Sequence, residues 1–383
     1  EIYEKLGTKH SDRYQYTLPY YDFSKNITSL IADKSINGFL NFYSTGTNKL
    51  SDTNNLRTTI VNDLNYNSND FISNFGFKNS FDLYLKNLNA VGKNDTIYTS
   101  NAQIDGKSTL KFDSSFPLLK SNNIINQTLT PKISLRINPG NNMDDYSSSS
   151  TNITANNVFD INRLGISNDF EAGKSVTFGL DYKFDQLENN ESEDAKNKYL
   201  EIKLATVVRD QKEDGIPISS TINKKNSDLF GSINNKLFNN VNLIYDFSLD
   251  NDMKTINSSS LETEISINNF VTTFNFIEQR NEIGSTHLLS NVTEYQINDS
   301  SSIKFSTRRN KKINLTEYYN LSYEYKNDCL TAALKFNKSF YQDNDLKPTE
   351  DLFFSITLIP LTTYEREVYK KTPGQSGLKG WFR

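Results

Sequence analysis

The chain has 383 residues, with 42 Lys and Arg against 46 Asp and Glu, which gives a net charge of −4. This balance provides no basic field for a nucleic-acid partner. With 2 His, 1 Cys and 2 Met, the chain has few residues for catalysis or metal binding, while 21 Tyr and 25 Phe argue against simple disorder. No stretch approaches 18 consecutive apolar residues, so the sequence predicts no membrane-spanning helix.

Apolar and polar residues alternate along many segments of the chain. The clearest examples are residues 176–184, 241–249 and 319–325. Period-two alternation is typical of a strand with one apolar and one polar face. Helical periodicity is weak throughout, so the sequence predicts an all-β fold.

About 17 strands are predicted, most of them near ten residues long. In chain order they are roughly 12–24, 35–44, 56–66, 73–86, 107–119, 128–138, 174–184, 198–208, 228–238, 241–250, 259–267, 270–278, 287–297, 302–309, 316–326, 330–340 and 352–359. Strands of this length with alternating hydropathy are typical of transmembrane β-barrels, whereas soluble sandwiches use shorter ones. We therefore expect a transmembrane antiparallel up-and-down β-barrel.

The predicted connections alternate in length along the carboxy-terminal half. Tight turns at 239–240, 268–269, 298–301 and 327–328 are separated by longer loops. Outer-membrane barrels have short periplasmic turns and longer extracellular loops. The longest loops, near 87–106, 139–173 and 209–227, fall on the extracellular side by the same rule. The long acidic connection 185–197 does not fit and is interpreted as an insertion.

The parity of the strand count bears on whether an amino-terminal strand is missing. Bacterial single-chain barrels have an even number of strands, with both termini in the periplasm. An odd count of 17 therefore means either that the count is wrong by one strand or that at least one amino-terminal strand is missing from this sequence, and we favour the missing strand. We expect residues 1–360 to form the barrel portion and residues 361–383 to form a periplasmic tail.

Candidate chemical sites are weak. Asp343, Asp345 and Glu350 share one loop but lack the glycine and the spacing of an EF-hand, which favours a solvated acidic loop over a calcium site. His287 could pair with Glu282 or Asp299, but no nucleophile motif accompanies it. We therefore predict no metal, no cofactor and no enzymatic activity.

Two further features lie at predicted strand ends. Cys329 follows a tight periplasmic turn, where it is either paired with a cysteine elsewhere or a spectator thiol. Several aromatic residues suggest an interfacial girdle, although strand propensity also explains them. These aromatic residues are Tyr318, Tyr319, Tyr323, Tyr325, Phe340 and Tyr341.

Four segments of the sequence resemble the LptD family of outer-membrane LPS-assembly proteins, especially its alphaproteobacterial members. They are TPK at 130–132, VFDINRLG at 158–165, TEYYNLSYEYKNDCL at 316–330 and LKPTEDLFFSITLIP at 346–360. The segments are spread over most of the chain, and their order along it carries the resemblance. Residues 1–360 would then be the carboxy-terminal portion of a larger, 26-strand barrel that follows a periplasmic jellyroll.

The resemblance also implies a function and partners. It implies a translocon that inserts lipopolysaccharide (LPS) into the outer leaflet of the Gram-negative outer membrane. The route would be a polar lumen and a lateral seam between the first and last strands. The implied partners are LPS, an LptE-like lipoprotein plug, an LptA-like periplasmic bridge that docks on the missing jellyroll, and outer-membrane lipid.

The resemblance assigns roles to residues near the carboxy terminus. Phe354, Ile356 and Leu358 would face the seam from the last strand, and Pro360 would end its pairing, because proline lacks the N–H donor. Cys329 lies where family members carry cysteines that bond to the amino-terminal domain. Many members have two adjacent cysteines there, whereas this chain has Asp328 before Cys329. At most one such disulfide is therefore expected at this turn.

Three alternative functions remain open from the sequence. A general porin or hydrophobic-solute channel fits the strand count equally well, but it would be complete, with an even number of strands. A barrel enzyme is disfavoured by the shortage of catalytic residues. A soluble, β-rich surface protein would leave the membrane fraction on extraction with carbonate or high salt.

Overall fold

The computed structural model describes residues 2–4, 14–28, 37–52, 54–140, 143–166, 169–186, 198–340, 348–359 and 362–371. The first twelve strands in these residues are β1 (Ile2–Glu4), β2 (Tyr14–Asn26), β3 (Gly38–Ser51), β4 (Asn55–Ser68), β5 (Phe71–Ile72), β6 (Lys78–Lys93), β7 (Gln103–Ser115), β8 (Leu118–Ser121), β9 (Ile125–Asn138), β10 (Gly173–Gln186), β11 (Lys198–Arg209) and β12 (Leu229–Phe238). The remaining nine are β13 (Val241–Leu249), β14 (Ile256–Ile267), β15 (Phe270–Gln279), β16 (His287–Asn298), β17 (Ser301–Asn310), β18 (Leu315–Lys326), β19 (Leu330–Ser339), β20 (Thr349–Leu358) and β21 (Thr362–Lys371).

The predicted all-β antiparallel fold is confirmed. Each of the 17 predicted strands corresponds to an observed strand, with ends that differ by up to seven residues. The count of 17 was low, because the described residues also contain three short strands, β1, β5 and β8, and the ten-residue strand β21. None of the described helices is long and apolar enough to cross a membrane.

Strand β21 lies inside the segment that was predicted to be a periplasmic tail. It pairs antiparallel with β20, from Glu350 opposite Lys371 to Leu358 opposite Thr362. The alternation rule missed this strand because it searches for apolar residues at every second position. Apart from tyrosines, β21 has one apolar side chain, Val368. The strand predicted to be the last one is therefore followed by another.

Consecutive strands form antiparallel hairpins. From β13 to β21, each strand is registered with the next one along the chain. Two-residue turns, such as the one at Asn268–Asn269, alternate with longer connections, such as 280–286, as predicted for this half. Asn268 has a φ of 51°, a left-handed conformation that asparagine tolerates better than most residues. In the amino-terminal half, the connections between β4 and β6 and between β7 and β9 each contain a short strand.

The chain divides into two compact units. Unit 1 consists of residues 1–118, 129–181 and 205–229, and unit 2 of residues 119–128, 182–204 and 230–383. The buried apolar residues of unit 1 lie mainly in its loops and not between layers of strands. Those in the loops are Ile153, Ala155, Val158, Leu164, Ile166, Ala172, Ile216 and Ile222.

Strands β7 and β9 of unit 1 bury their polar face and expose their apolar face. On β7, Lys107, Thr109 and Lys111 are buried, while Leu110 and Phe112, which point the opposite way, are about 40% exposed. Strand β9 shows the same pattern, with Ser134, Arg136 and Asn138 buried and Ile133 and Leu135 exposed. A soluble protein has the reverse distribution, because exposing apolar surface to water costs free energy. An apolar outer face with a polar inner face is the arrangement of outer-membrane strands.

Unit 2 also has an exposed apolar face. Leu321 of β18 is 47% exposed, and its cross-strand neighbours are Phe305 and Phe336. The adjacent Asn320 points to the other face, where its neighbours are Ser306 and Asn337. Because directly opposed residues of an antiparallel pair share a face, these strands carry one apolar and one polar surface. The apolar surface formed by the Leu321 side of β14–β20 is called the outward face below.

Candidate functional site

Two long loops of unit 1 fold into ordered structure against the buried polar face. The first connects β9 to β10 and is described at residues 139–140, 143–166 and 169–172, and the second is 210–228 between β11 and β12. Val158, Ile216 and Ile222 have no solvent exposure. Burial of each such side chain contributes about 1.5–3 kcal/mol. These two segments are called the folded loops.

The folded loops are hydrogen-bonded to each other. The N–H of Tyr146 donates to the carbonyl of Gly215 at 2.9 Å, and the N–H of Thr151 donates to the hydroxyl of Ser219 at the same distance. The Ser219 hydroxyl in turn donates to the carbonyl of Ser149 at 3.0 Å. Backbone groups that would otherwise be buried without partners are thus satisfied, and the two loops form one packed layer.

A buried ion cluster fastens the folded loops to the strands. Its centre is Glu171, whose side chain is 3% exposed. Arg163, which is fully buried, donates two hydrogen bonds to the Glu171 carboxylate, at 2.7 and 2.6 Å. Arg209 of β11 also donates to Glu171 Oε1, and Arg136 of β9 approaches Oε2 to 3.7 Å. One carboxylate therefore holds three guanidinium groups, one from a loop and two from strands. These four residues are called the Glu171 cluster.

The same arginines also satisfy backbone and hydroxyl groups of loops and strands. Arg136 donates to two backbone carbonyls of the first loop, at residues 160 and 161. Arg209 donates to the carbonyl of Ile222 in the second loop at 2.6 Å. Arg163 donates to the hydroxyls of Ser175 and Thr177 on β10. Charge-assisted bonds of this kind are about twice as strong as neutral ones, so the cluster joins both loops to β9, β10 and β11.

A second buried ion pair also holds the first folded loop against the strands. Lys107 of β7, whose side chain is 4% exposed, donates to Asp169 Oδ2 at 2.7 Å, and Asp169 is fully buried. The same Asp169 oxygen accepts the N–H of Asp144 at 2.7 Å. The first folded loop is therefore attached to β7 as well as to β9 and β10.

The ionisation of Glu171 favours the attached state. Burial by itself raises the pKa of this carboxyl, but Arg163, Arg209 and Arg136 outweigh burial and hold the pKa well below its ordinary value. A depressed pKa contributes stability that is fully present above the unfolded-state pKa and is lost as the pH falls through the folded-state pKa. The cluster therefore remains charged at neutral and mildly acidic pH.

The lowered pKa of Glu171 gives a testable pH dependence. We expect the folded loops to resist proteolysis equally at pH 8 and pH 5, and to become cleavable only at pH values well below the ordinary glutamate pKa of 4.5. Limited proteolysis with an acid-tolerant and a neutral protease, followed by mass spectrometry of the fragments, measures this. Cleavage within residues 143–166 that rises between pH 7 and pH 5 would contradict the assignment.

The predicted seam residues lie near the carboxy-terminal end of the sheet. Phe354, Ile356 and Leu358 are on β20, which is registered with β19 on one side and with β21 on the other. Phe354 and Leu358 are 38% and 44% exposed. Pro360 lies outside the described residues.

The other predicted site residues are spread over the carboxy-terminal strands and their connections. Cys329 is a free, exposed thiol at the turn after β18, where its N–H donates to the side-chain oxygen of residue 327 at 3.0 Å. His287 begins β16 and Asp299 follows its end, so the two lie at opposite ends of one strand. Asp343 and Asp345 lie outside the described residues. Within the described residues, no three His, Cys, Asp or Glu side chains gather to hold a metal ion.

Sequence reasoning did not identify the Glu171 cluster. Arg163 was noticed only inside the segment 158–165, and Arg136, Glu171 and Arg209 were not singled out. One local signal was available in the sequence. Arg136 and Arg209 each lie on the face of their strand that alternates with the apolar face. An arginine at such a position needs a buried partner, since an unpaired buried charge is costly.

Comparison with solved structures finds distant likenesses. A mutant of the ferric enterobactin receptor from Pseudomonas aeruginosa, in complex with enterobactin, is 10% identical with a TM-score of 0.40. That match covers 92% of this chain and 64% of the receptor, so this chain spans less than two thirds of the receptor's length. A triple mutant of the Rhodopseudomonas blastica porin is 9% identical with a TM-score of 0.28, covering 85% of this chain and 95% of the porin. Likenesses at these values carry no functional argument.

Sequence comparison is more informative. No curated protein matches the chain at a significant level. The protein-family model described as LptD, LPS transport system D, matches residues 2–301, more than three quarters of the chain. The match covers both folded loops and all four residues of the Glu171 cluster. The chain therefore belongs to the LptD family, LPS transport system D, and is a protein of the Gram-negative outer membrane.

Proposed function

We propose that this chain is part of a translocon that moves LPS through a polar interior and inserts it into the outer leaflet of the outer membrane. The observation that carries the proposal is the inverted distribution of its residues, with apolar side chains exposed and polar side chains buried. Membership of a family of transport proteins, which is not an enzyme family, supports the same assignment.

The chemistry of LPS explains why both faces are needed. The lipid has a large polar glycan and several acyl chains, and the acyl chains cannot pass cheaply through a water-filled route. A polar interior suits the glycan, while a lateral opening between strands gives the acyl chains access to the membrane. Unpaired backbone groups are costly in lipid, so such an opening must be short or transient.

We place one side of the opening beside the carboxy-terminal strands. Because β21 pairs along the edge of β20, we propose β21 as the strand at the seam, with Phe354, Ile356 and Leu358 on β20, and Pro360 after it, beside the seam on the adjacent strand. The other side would be the first strand of the complete barrel. A disulfide engineered between that first strand and β21 is expected to stop LPS export, and reduction is expected to restore it. Continued export with the bond closed would reject the seam.

The proposed partners follow from the family assignment. They are an LptE-like lipoprotein plug, an LptA-like jellyroll bridge in the periplasm, and the lipids of the outer membrane. We also propose that the folded loops close the polar route at rest, because they cover the polar face of β7, β9, β10 and β11.

Depletion of the complete protein in its host tests the function. Loss of surface-exposed LPS, with the lipid accumulating behind the outer membrane, is the expected result, and expression of the wild-type protein should restore export. Unchanged surface LPS with slower uptake of small solutes would reject the translocon and leave a porin or hydrophobic-solute channel.

Cys329 reports which side of the membrane holds the tight turns. Its thiol at the turn 327–329 is expected to react with a membrane-impermeant maleimide only after the outer membrane is permeabilised and the proposed disulfide to the amino-terminal domain is reduced, since short turns face the periplasm. The matched control is Ser285→Cys in a Cys329→Ser background, which places the thiol at an exposed position of the connection 280–286. That variant should be labelled in intact cells. Labelling of Cys329 in intact cells would reverse the assigned orientation.

A further inference from the structure

We infer that the outward face of unit 2 carries a binding site for the phosphate group of a membrane-lipid headgroup, at the end of the sheet that holds the connections 280–286 and 311–314. This site concerns lipid that surrounds the strands from outside, not lipid in transit through the interior, and phosphatidylglycerol serves below as the probe for a phosphate-bearing headgroup. It rests on the outer-membrane location and not on the proposed LPS export.

The apolar band of the outward face ends at this site. Along β15 and β16, Phe276 is opposite Leu289, and the next pair in the same direction on the same face is Glu278 opposite His287. The face thus changes from apolar to polar within one pair of residues. In a membrane protein such a change marks the depth at which acyl chains give way to headgroups.

Two lysine side chains near this end of the sheet pack against aromatic rings. The Lys311 ammonium lies 5.4 Å from the centroid of the Phe276 ring, and that ring packs edge-on against His287 at 5.5 Å. Two strands further on, Lys338 lies 5.4 Å from the centroid of the Phe340 ring. A long cationic side chain that lies along an aromatic ring keeps its charged end in the headgroup layer.

The charge of this region is incompletely neutralised. Arg280 is paired with Glu278 at 2.6 Å and Lys338 with Glu350 at 3.2 Å, whereas Lys311 and Lys312 are exposed. Neither lysine forms an ion pair with a carboxylate in the described part of the chain. Two ammonium groups are thus available to an anion from the membrane.

A pocket of about 250 Å³ lies beside Lys312. The lining also contains Glu278, whose carboxylate is paired with Arg280. Its other polar side chains include Arg280, His287 and the hydroxyls of Ser285 and Thr286. These side chains are hydrogen-bond donors of the kind that bind phosphate oxygens. The volume is sufficient for a phosphate with part of its headgroup and too small for a folded protein segment.

Backbone hydrogen bonds hold the pocket in shape. The N–H of Gln279 donates to Thr286 O at 2.8 Å, and the N–H of Lys311 donates to His287 O at 2.7 Å. Ile283, in the middle of the connection, is buried. The connection 280–286 is therefore anchored at its end and its centre, and the Lys311–Lys312 turn is fixed against the start of β16.

Lipid retention by the purified complete protein tests the site. The protein is incubated with vesicles of phosphatidylcholine, with or without phosphatidylglycerol, and bound lipids are counted by native mass spectrometry. We expect Lys311→Gln/Lys312→Gln to lower phosphatidylglycerol retention roughly fivefold for each ammonium removed, about 25-fold in total. Lys311→Arg/Lys312→Arg should retain the lipid.

The control is Lys304→Gln/Lys335→Gln, which removes two lysines that share the opposite face through Ser322. It should leave retention within about twofold of wild type, because it changes net charge equally without touching the site. Equal losses in both double variants would show a general charge effect and overturn the inference. Unchanged retention in Lys311→Gln/Lys312→Gln would also overturn it, provided that a heat-modifiability gel shows folded protein.

Competition with inorganic phosphate distinguishes a lipid headgroup from free phosphate as the anion that binds. Millimolar phosphate is expected to leave phosphatidylglycerol bound, since the acyl chains on the apolar band contribute to binding. Complete displacement by phosphate would assign the pocket to a soluble anion and reject the lipid. Surface LPS in cells that carry the lysine variants is a separate readout, so failure of this site and failure of the export function are distinguishable.

Discussion

Replacement of Glu171 by glutamine is expected to release both folded loops from the strands. The substituted amide would keep the shape of the side chain but remove the charge that holds the three arginines, all of which remain buried. Removing one partner of a buried ion cluster typically costs about 3–5 kcal/mol, because the remaining charges lose their compensation. This corresponds to an increase of roughly a hundredfold to several thousandfold in the open population of the loops.

Two measurements detect the release of the folded loops. Proteolysis of residues 143–166 and 210–228 should accelerate by a comparable factor in Glu171→Gln, while the strands keep their heat-modifiable mobility on gels. If the loops close the polar route, cells that carry the variant should also admit large antibiotics that the wild-type protein excludes. Faster proteolysis without increased permeability would support the Glu171 cluster as the attachment of the loops, but it would reject the role of the loops in closing the polar route.

Asp214→Asn is the matched control for Glu171→Gln. Asp214 lies in the second folded loop and pairs with Lys212, but the two side chains are 85% and 63% exposed. Exposed ion pairs contribute about 0–1 kcal/mol, so proteolysis should change at most a few fold. If both variants opened the loops equally, the effect would come from loop charge in general, and the central position of Glu171 would be wrong.

Replacement of Leu321 by arginine is expected to destabilise the protein in a bilayer. Leu321 lies in the middle of β18 on the outward face, between Phe305 and Phe336. An arginine on the lipid face costs about 2–4 kcal/mol at the bilayer midplane. Urea unfolding of the protein folded into phosphatidylcholine vesicles should show a loss of this size.

Asn320→Arg is the matched control for Leu321→Arg. Asn320 is the preceding residue, and its cross-strand neighbours Ser306 and Asn337 are polar. The same arginine on this face should cost less than about 1 kcal/mol, because it meets polar groups and water instead of acyl chains. A larger loss in Asn320→Arg than in Leu321→Arg would reverse the assignment of the two faces.

The positions of the strands followed from the sequence because strand alternation is a local property. Along β13, Val241, Leu243 and Tyr245 alternate with polar residues, and the period of two is visible without knowledge of any partner strand. The tight turns were equally local, since asparagine supplies the left-handed conformation required at Asn268. Strand β21 was missed for the same reason, because its glutamates, lysines and arginine mask the alternation.

The Glu171 cluster could not be found this way. Arg136, Arg163, Glu171 and Arg209 come from two strands and a long loop, and their contact depends on how that loop folds back. The lipid pocket is similar, because the start of β16 and the Lys311–Lys312 turn are brought together by the register of β16 with β17. Residues that are distant in sequence carry no local periodicity that reports their contact.

The sequence by itself determined the fold class, most of the strands and the division into an apolar and a polar face, and it pointed to the LptD family. Only the tertiary structure decided where the buried polar side chains find their partners. The physical reason is that backbone pairing repeats every two residues and leaves a local pattern, whereas a buried charge such as Glu171 is satisfied by whichever distant groups the folded loops bring to it.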